Sequence, residues 1–275
     1  MRILIFGMFA GYAAAAFSGE TVADNQSVSA GGHRSPESYP GMSLVWRDEF
    51  SGTQLDRQNW RYETGTGHNG WGNGELQYYR PENTQVQGGY LVITVRQEPF
   101  EGSNYTSSRI ATHGKREFRH GRIDIRAKLP EGQGIWPALR MLGYSMEREG
   151  WPAAGEIDIM EMIGGQGREN TVSGTLHWAQ DGGRNYEGGS ISLPIGTFSD
   201  QFHVFSIEWG ESSIRWLVDD YPYLELDTGA SELDVFRRDF YLLINLAVGG
   251  RLAGSPDSST SFPQRFIVDY VRVFR

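Results

Sequence analysis

Three carboxylates stand close together in the stretch Gly155-Glu156-Ile157-Asp158-Ile159-Met160-Glu161-Met162. The apolar residues between them suit a strand, on which alternate side chains share a face. Strict alternation groups Glu156, Asp158 and Met160, and sends Glu161 to the other side. A β-bulge at Ile159-Met160 adds one residue and returns Glu161 to the face of Glu156 and Asp158. Five residues of strand span at most about 16 Å, and a bulge shortens that, so two glutamates leaning together bring their carboxyls within several Å. Retaining glycosidases hold two carboxyls about 5–5.5 Å apart, one as nucleophile and the other as acid then base. Three carboxyls this close cannot all ionise easily; at least one pKa must rise, leaving a proton donor beside an ionised nucleophile in a coupled set. The spacing alone also admits a calcium or magnesium site, or a solvated strand face.

The aromatic residues near this stretch weigh on that choice. Trp136, Trp151 and Trp178 lie within about a strand and a turn of the acids in sequence, and a groove with aromatic walls and a few acids is a plausible sugar site. Any one of these tryptophans could equally be core. His177 reads either as a donor to the cleavage site or as a hydrogen-bonded structural histidine.

The elements that must position these groups are short strands. Alternating segments occupy 43–50, 89–97, 118–129, 202–209, 214–220, 240–248 and 266–274, with Gly-Gly pairs at 88–89, 182–183 and 249–250 marking turns. In the segment 122–129, Arg122, Asp124 and Arg126 alternate with Ile123, Ile125 and Ala127, which predicts one buried and one wet face. Only the region near Ala230 to Arg238 suits a short helix. No fixed-length repeat or second linker divides the chain. With 36 glycines, eight tryptophans and 13% aromatic residues in 275, the chain is predicted to be all-β, a sandwich or jelly roll of two antiparallel sheets.

The formal charge of -9 argues against nucleic acid or an anionic membrane as partner and suits a neutral one. Zero cysteines excludes disulfides and thiol catalysis. Arg2, the apolar run from Ile3 to Phe17 and the small residues Ser18 and Gly19 match a secretory signal and are short for a membrane-spanning helix. The expected organisation is a signal peptide at 1–18, a flexible polar linker at 19–41 and one domain at 42–275, secreted or periplasmic after processing. Nothing in the sequence argues for an oligomer, so a monomer is expected.

Several motifs occur together: WGNGELQYY (71–79), TSSRI (106–110), GRIDIRAKLP (121–130), GQGIWPA (132–138), GEIDIMEMIG (155–164), NLAVGG (245–250) and VDYVRVF (268–274). Jointly, in this order and over about Ser43 to Arg275, they resemble glycoside hydrolase family 16, and within it the laminarinase-type endo-β-1,3-glucanases. The resemblance implies a β-jelly-roll with an open cleft on its concave face and retention at the anomeric carbon. It implies Glu156 as nucleophile, Glu161 as general acid/base and Asp158 as assisting acid, with Trp136, Trp151, Asn73, Arg109 and His177 contacting sugar. No cofactor is implied for catalysis; a structural calcium on the convex side would be held by Glu49, the carbonyl of Gly89 and Asp269. β-1,3-Glucan, with mixed-linkage β-1,3/1,4-glucan second, is the implied substrate. The rivals are a hydrolase of agar-type or anionic galactans, a non-catalytic glucan-recognition protein, and a calcium-binding adhesion module.

Two departures from the family pattern stand out. Leu139 and Arg140 occupy places where relatives commonly carry Phe and Trp, and Arg251 and Leu252 replace Asn and Trp. By alternation Arg140 shares a face with Trp136. It could pair with an acid and lower its pKa, favour a substrate bearing sulfate or carboxylate, or extend to solvent.

Overall fold

Residues 31–275 are described in the computed structural model, so the expected signal peptide and the start of the linker lie outside the described residues. One sheet has ten strands: β1 (Leu44–Asp48), β3 (Gln77–Tyr79), β4 (Thr84–Gln87), β5 (Tyr90–Phe100), β6 (Ser103–Ser107), β8 (Gly121–Lys128), β13 (His203–Trp209), β14 (Ser213–Val218), β15 (Tyr221–Asp227) and β17 (Gln264–Phe274). The other has seven: β2 (Arg61–Tyr62), β7 (Arg109–Ala111), β9 (Ile135–Gly143), β10 (Glu156–Glu161), β11 (Thr171–Gln180), β12 (Gly183–Ser192) and β16 (Phe240–Val248). All pairings are antiparallel except β3 with β6. The expected short helix is a 3₁₀ segment, Ser231–Arg237. Among the described residues no helix is long and apolar enough to cross a membrane.

The two sheets pack face to face as the predicted jelly-roll sandwich. Alternation supplies the core: Ile123 and Ile125 from β8, Leu139 and Met141 from β9, and Leu242, Ile244 and Leu246 from β16 all point between the sheets and are fully buried. The seven-stranded sheet runs β12-β11-β10-β9-β16-β7-β2, which places the acid-bearing β10 near its centre.

The opposite face of β8 departs from expectation. Arg122, Asp124 and Arg126, predicted to be wet, are buried. Residues 31–41, assigned from sequence to the flexible linker, lie across them. Arg126 donates to the carbonyls of Gly31 and His33 at 2.8 and 2.5 Å. Ser35 meets the Tyr270 hydroxyl through its N–H and its hydroxyl, both at 2.8 Å. Tyr39 donates to Asp124 at 2.7 Å and lies under the Arg122 guanidinium. A polar segment is fixed here because its backbone carbonyls satisfy a buried cation. Removing residues 1–41 takes these hydrogen bonds away while Arg126 keeps Asp269 and Asp124 keeps Arg122 and Ser206, and a loss of roughly 3 kcal/mol is expected. Thermal melts of the truncated and full chains check this; a Tm decrease of roughly 10 °C is the expected scale.

Candidate active site

The register of β10 contains the predicted bulge. Against β9, Asp158 pairs with Arg140 and Met160 with Leu139, so Ile159 is the extra residue. Against β11, Asp158 pairs with Thr175 and Glu161 with Ser173, so Ile159 and Met160 together oppose Gly174. Both Ile159 and Met160 turn into the core between the sheets, which consecutive residues of a regular strand cannot do. Glu161 thereby rejoins Glu156 and Asp158 on the outer face.

The bulge is held from the far side of the sandwich. Trp216 on β14 is fully buried, and its indole N–H donates to the Asp158 carbonyl at 2.8 Å. Its ring occupies the space a side chain at position 174 would need: a Cβ on Gly174 would lie 2.3 Å from Trp216 Cδ1. Glycine is required there by close approach. Neither residue belongs to the motifs singled out in sequence; the only signal was a glycine inside an otherwise regular strand, which marks a bulge or close approach. Trp216→Phe keeps most of the ring and removes the donor. A stability loss of roughly 1–3 kcal/mol is expected from the unsatisfied carbonyl, read by thermal melting, together with a fall in kcat as the acids shift.

One guanidinium joins the three acids. Arg140 sits opposite Asp158 on β9 and donates to Glu156 Oε1 at 2.9 Å and Glu161 Oε1 at 2.6 Å, with Asp158 Oδ1 3.3 Å away. The indole N–H of Trp151 donates to Glu156 Oε2 at 2.6 Å, and that of Trp136 to Glu161 Oε1 at 3.1 Å. His177 Nε2 lies 3.0 Å from Asp158 Oδ2. All of these groups are at least nine-tenths buried except Trp151, which is 46% exposed, and Arg140, whose side chain is 11% exposed.

These partners divide the acids by charge. Burial alone pushes Glu156 up, but the charges of Arg140 and His177 and the hydrogen bonds from Arg140 and Trp151 outweigh it and hold Glu156 below the usual carboxylate range. Glu161 is pushed up to about 7 by burial and by the charges of Asp158 and Glu156, against the pull of Arg140. Burial and the neighbouring Glu156 hold Asp158 well above its ordinary value. Burial and the charges of Arg184 and Arg140 lower His177, against the pull of Glu156 and Glu161. An ionised carboxylate thus stands beside protonated carboxyls, the division of labour needed for nucleophilic attack with acid assistance.

The remaining sequence-predicted residues fall in two places. Arg109 on β7, Asn245 on β16, Ala138 on β9 and Glu161 on β10 are successive register partners, so Arg109 and Glu161 lie in one lateral row across the sheet. Arg109 pairs with Glu63 at 2.5 Å and stacks under Trp71. Asn73 donates to Glu75 at 3.0 Å; the second oxygen of Glu75 accepts from Gln77 and Tyr79, and Asn245 donates to Tyr79. Asn245 Oδ1 is buried with no hydrogen-bond partner. Glu63, Glu75, Tyr79 and Asn245 were not identified from sequence as site residues. Trp136 is only 3% exposed, so it acts on Glu161 through its N–H and offers little ring face. Trp178 turns into the core against Phe236. Arg251, at one of the departures, donates to the Gly72 carbonyl and ties the short helix Gly250–Ala253 to the loop before Asn73.

The two acids expected to hold calcium are paired with arginines. Glu49 is held by Arg272 through two contacts of 2.7 and 2.9 Å. Asp269 pairs with Arg126 at 2.6 Å and Arg34 at 3.1 Å. Three guanidiniums, Arg272, Arg126 and Arg34, pair with these two acids. Among the described residues no group of three or more His, Cys, Asp or Glu side chains is placed to hold a metal.

The comparisons with known proteins agree with this geometry. The sequence profile of glycosyl hydrolases family 16 matches residues 72–267. This chain belongs to glycosyl hydrolase family 16. It is 44% identical to a β-glucanase of Rhodothermus marinus over 252 residues, 86% of each chain. It is 39% identical to glucan endo-1,3-β-glucosidase A1 of Niallia circulans, covering 92% of this chain and 41% of that protein. Among solved structures, the laminarinase catalytic domain from Thermotoga maritima is similar at a TM-score of 0.78 and 45% identity, over 85% of this chain and 98% of that one. The family 16 chain is therefore a glycoside hydrolase with a jelly-roll domain, and the three acids on β10 are its candidate active site.

Proposed function

We propose that this glycoside hydrolase is an exported, endo-acting hydrolase of β-1,3-glucan that works by double displacement with retention of configuration. The observation that carries the reading is two glutamates on one face bridged by a single guanidinium at 2.9 and 2.6 Å, Glu156 held low and Glu161 raised to about 7. That bridging is compatible with the roughly 5–5.5 Å carboxyl spacing of retaining enzymes. Glu156 attacks the anomeric carbon as Glu161 protonates the departing glycosidic oxygen, giving a glycosyl-enzyme ester; Glu161 then takes a proton from water, which displaces Glu156. Asp158, kept protonated, avoids a third negative charge beside the nucleophile. β-1,3-Glucan as substrate is supported by the relatives named above. Mixed-linkage glucan is the second substrate of this reading. The apolar segment after Arg2 supports export to the periplasm or medium.

Incubation with laminarin, lichenan and agarose, followed by reducing-end release, tests the reading. Rapid release from laminarin, slower release from lichenan and none from agarose are expected. Activity on agarose alone selects the galactan reading, and glucan binding without new reducing ends selects a recognition protein.

A further inference from the structure

The arginines already placed at the cleft face carboxylates: Arg140 the three acids of β10, and Arg109 Glu63. The sequence-based idea that Arg140 receives an acidic substrate therefore loses its footing, since its donors are committed to the catalytic acids. Arg184 on β12 is different. Among the described residues it forms no ion pair with any Asp or Glu, and its one polar contact is His177 Nδ1 at 3.5 Å.

The register fixes which way it faces. Tyr186 pairs with His177, His177 pairs with Glu156, and Arg184 is two residues from Tyr186. All four share the outer face of the sheet, whereas Glu187, the acid beside Tyr186, takes the opposite face. Arg184 is exposed, yet it is not loose. Its guanidinium lies 4.9 Å from the Trp151 ring centroid and 5.5 Å from that of Tyr186. Trp151 is 46% and Tyr186 68% exposed. Both rings lie within cation–π reach of the guanidinium, and its remaining N–H donors have no carboxylate partner among the described residues. A planar fork of donors suits the paired oxygens of a carboxylate or sulfate, and stacking organises it in advance. In a chain of formal charge -9, long-range attraction cannot bring an acidic polymer to this cleft; a local cation must.

We propose that Arg184, backed by Trp151 and Tyr186, forms a subsite on the β11–β12 side of the groove for a sugar unit carrying an acidic substituent, a carboxylate or a sulfate ester. The inference rests on the hydrolase reading above and extends its substrate class from neutral glucans to partly acidic ones.

The test compares wild type and Arg184→Gln on laminarin, carboxymethylated laminarin and sulfated laminarin, with the ratio of kcat/KM on acidic over neutral substrate as the readout. The ratio is expected to fall about tenfold or more in the variant, the scale of a lost charge-assisted hydrogen bond. Its dependence on salt should weaken as well. A fall confined to the carboxymethylated or the sulfated polymer identifies which acid the subsite takes. An unchanged ratio for both polymers overturns the inference. Wild type inactive on laminarin instead overturns the hydrolase reading, and affinity electrophoresis of both proteins in the three polymers then decides the subsite by the same ratio of binding.

Discussion

Glu156→Gln is expected to lower kcat by on the order of 10⁴–10⁶-fold, the scale seen when a nucleophile is removed from a site that acts as a unit. The amide keeps the size of the carboxylate and one good acceptor. It can still take the Trp151 N–H or the Arg140 N–H, though not both as it does now at 2.6 and 2.9 Å. The fold should therefore survive with a modest loss of stability, and glucan affinity should remain. Kinetics, melting and affinity electrophoresis in laminarin separate the three effects. Glu161→Gln should differ in kind: the loss is roughly 10²–10⁴-fold on glucan and much smaller on an aryl glycoside whose leaving group needs no proton. A Glu156→Gln protein that fails to fold would assign the residue a structural role.

Arg140→Met should change the pH profile as strongly as the rate. In wild type the acid limb is set by Glu156, held below its ordinary value, and the basic limb by Glu161 near 7. Arg140 lowers both acids, so its removal moves both limbs to higher pH. On the acid side the buried Glu156 would then carry a proton, and kcat is expected to fall more there than near neutrality. Stability follows with a definite sign. Glu161 already has a raised folded-state pKa, so its favourable contribution is present below the unfolded value and is lost as pH rises through about 7. Without Arg140 that loss deepens, because breaking a buried ion cluster leaves carboxylates uncompensated. Melts at pH 5 and pH 8 should show a larger deficit at pH 8. A variant with wild-type limbs would mean that Arg140 does not set the charges of this site.

The bulge was legible because β structure has a period of two and Glu161 broke it by one residue. The placement of Arg140 on the cleft face was legible for the same reason, by counting from Trp136. Its simultaneous hold on three acids was not, since register between β9 and β10 depends on pairing that no single strand encodes. Trp216 and Gly174 escaped because the contact crosses the sandwich from β14 to β11, far apart in sequence. The segment 31–41 read as linker because it is polar and aperiodic, yet its carbonyls fix Arg126. That also reversed the predicted wet face of β8. β12 carries Arg184 and Tyr186 on an exposed, glycine-rich edge, where no apolar alternation marks a strand. Trp136 and Trp151 looked alike in sequence; only packing shows one buried and one open.

The most direct measurement of the central claim is the anomeric configuration of the first products released from laminarin, followed by proton NMR before mutarotation. Two glutamates dividing nucleophile and acid/base roles across one bulged strand predict that the β-anomer appears first and the α-anomer grows in later. Initial release of the α-anomer would contradict the assignment of Glu156 as nucleophile and with it the double-displacement account.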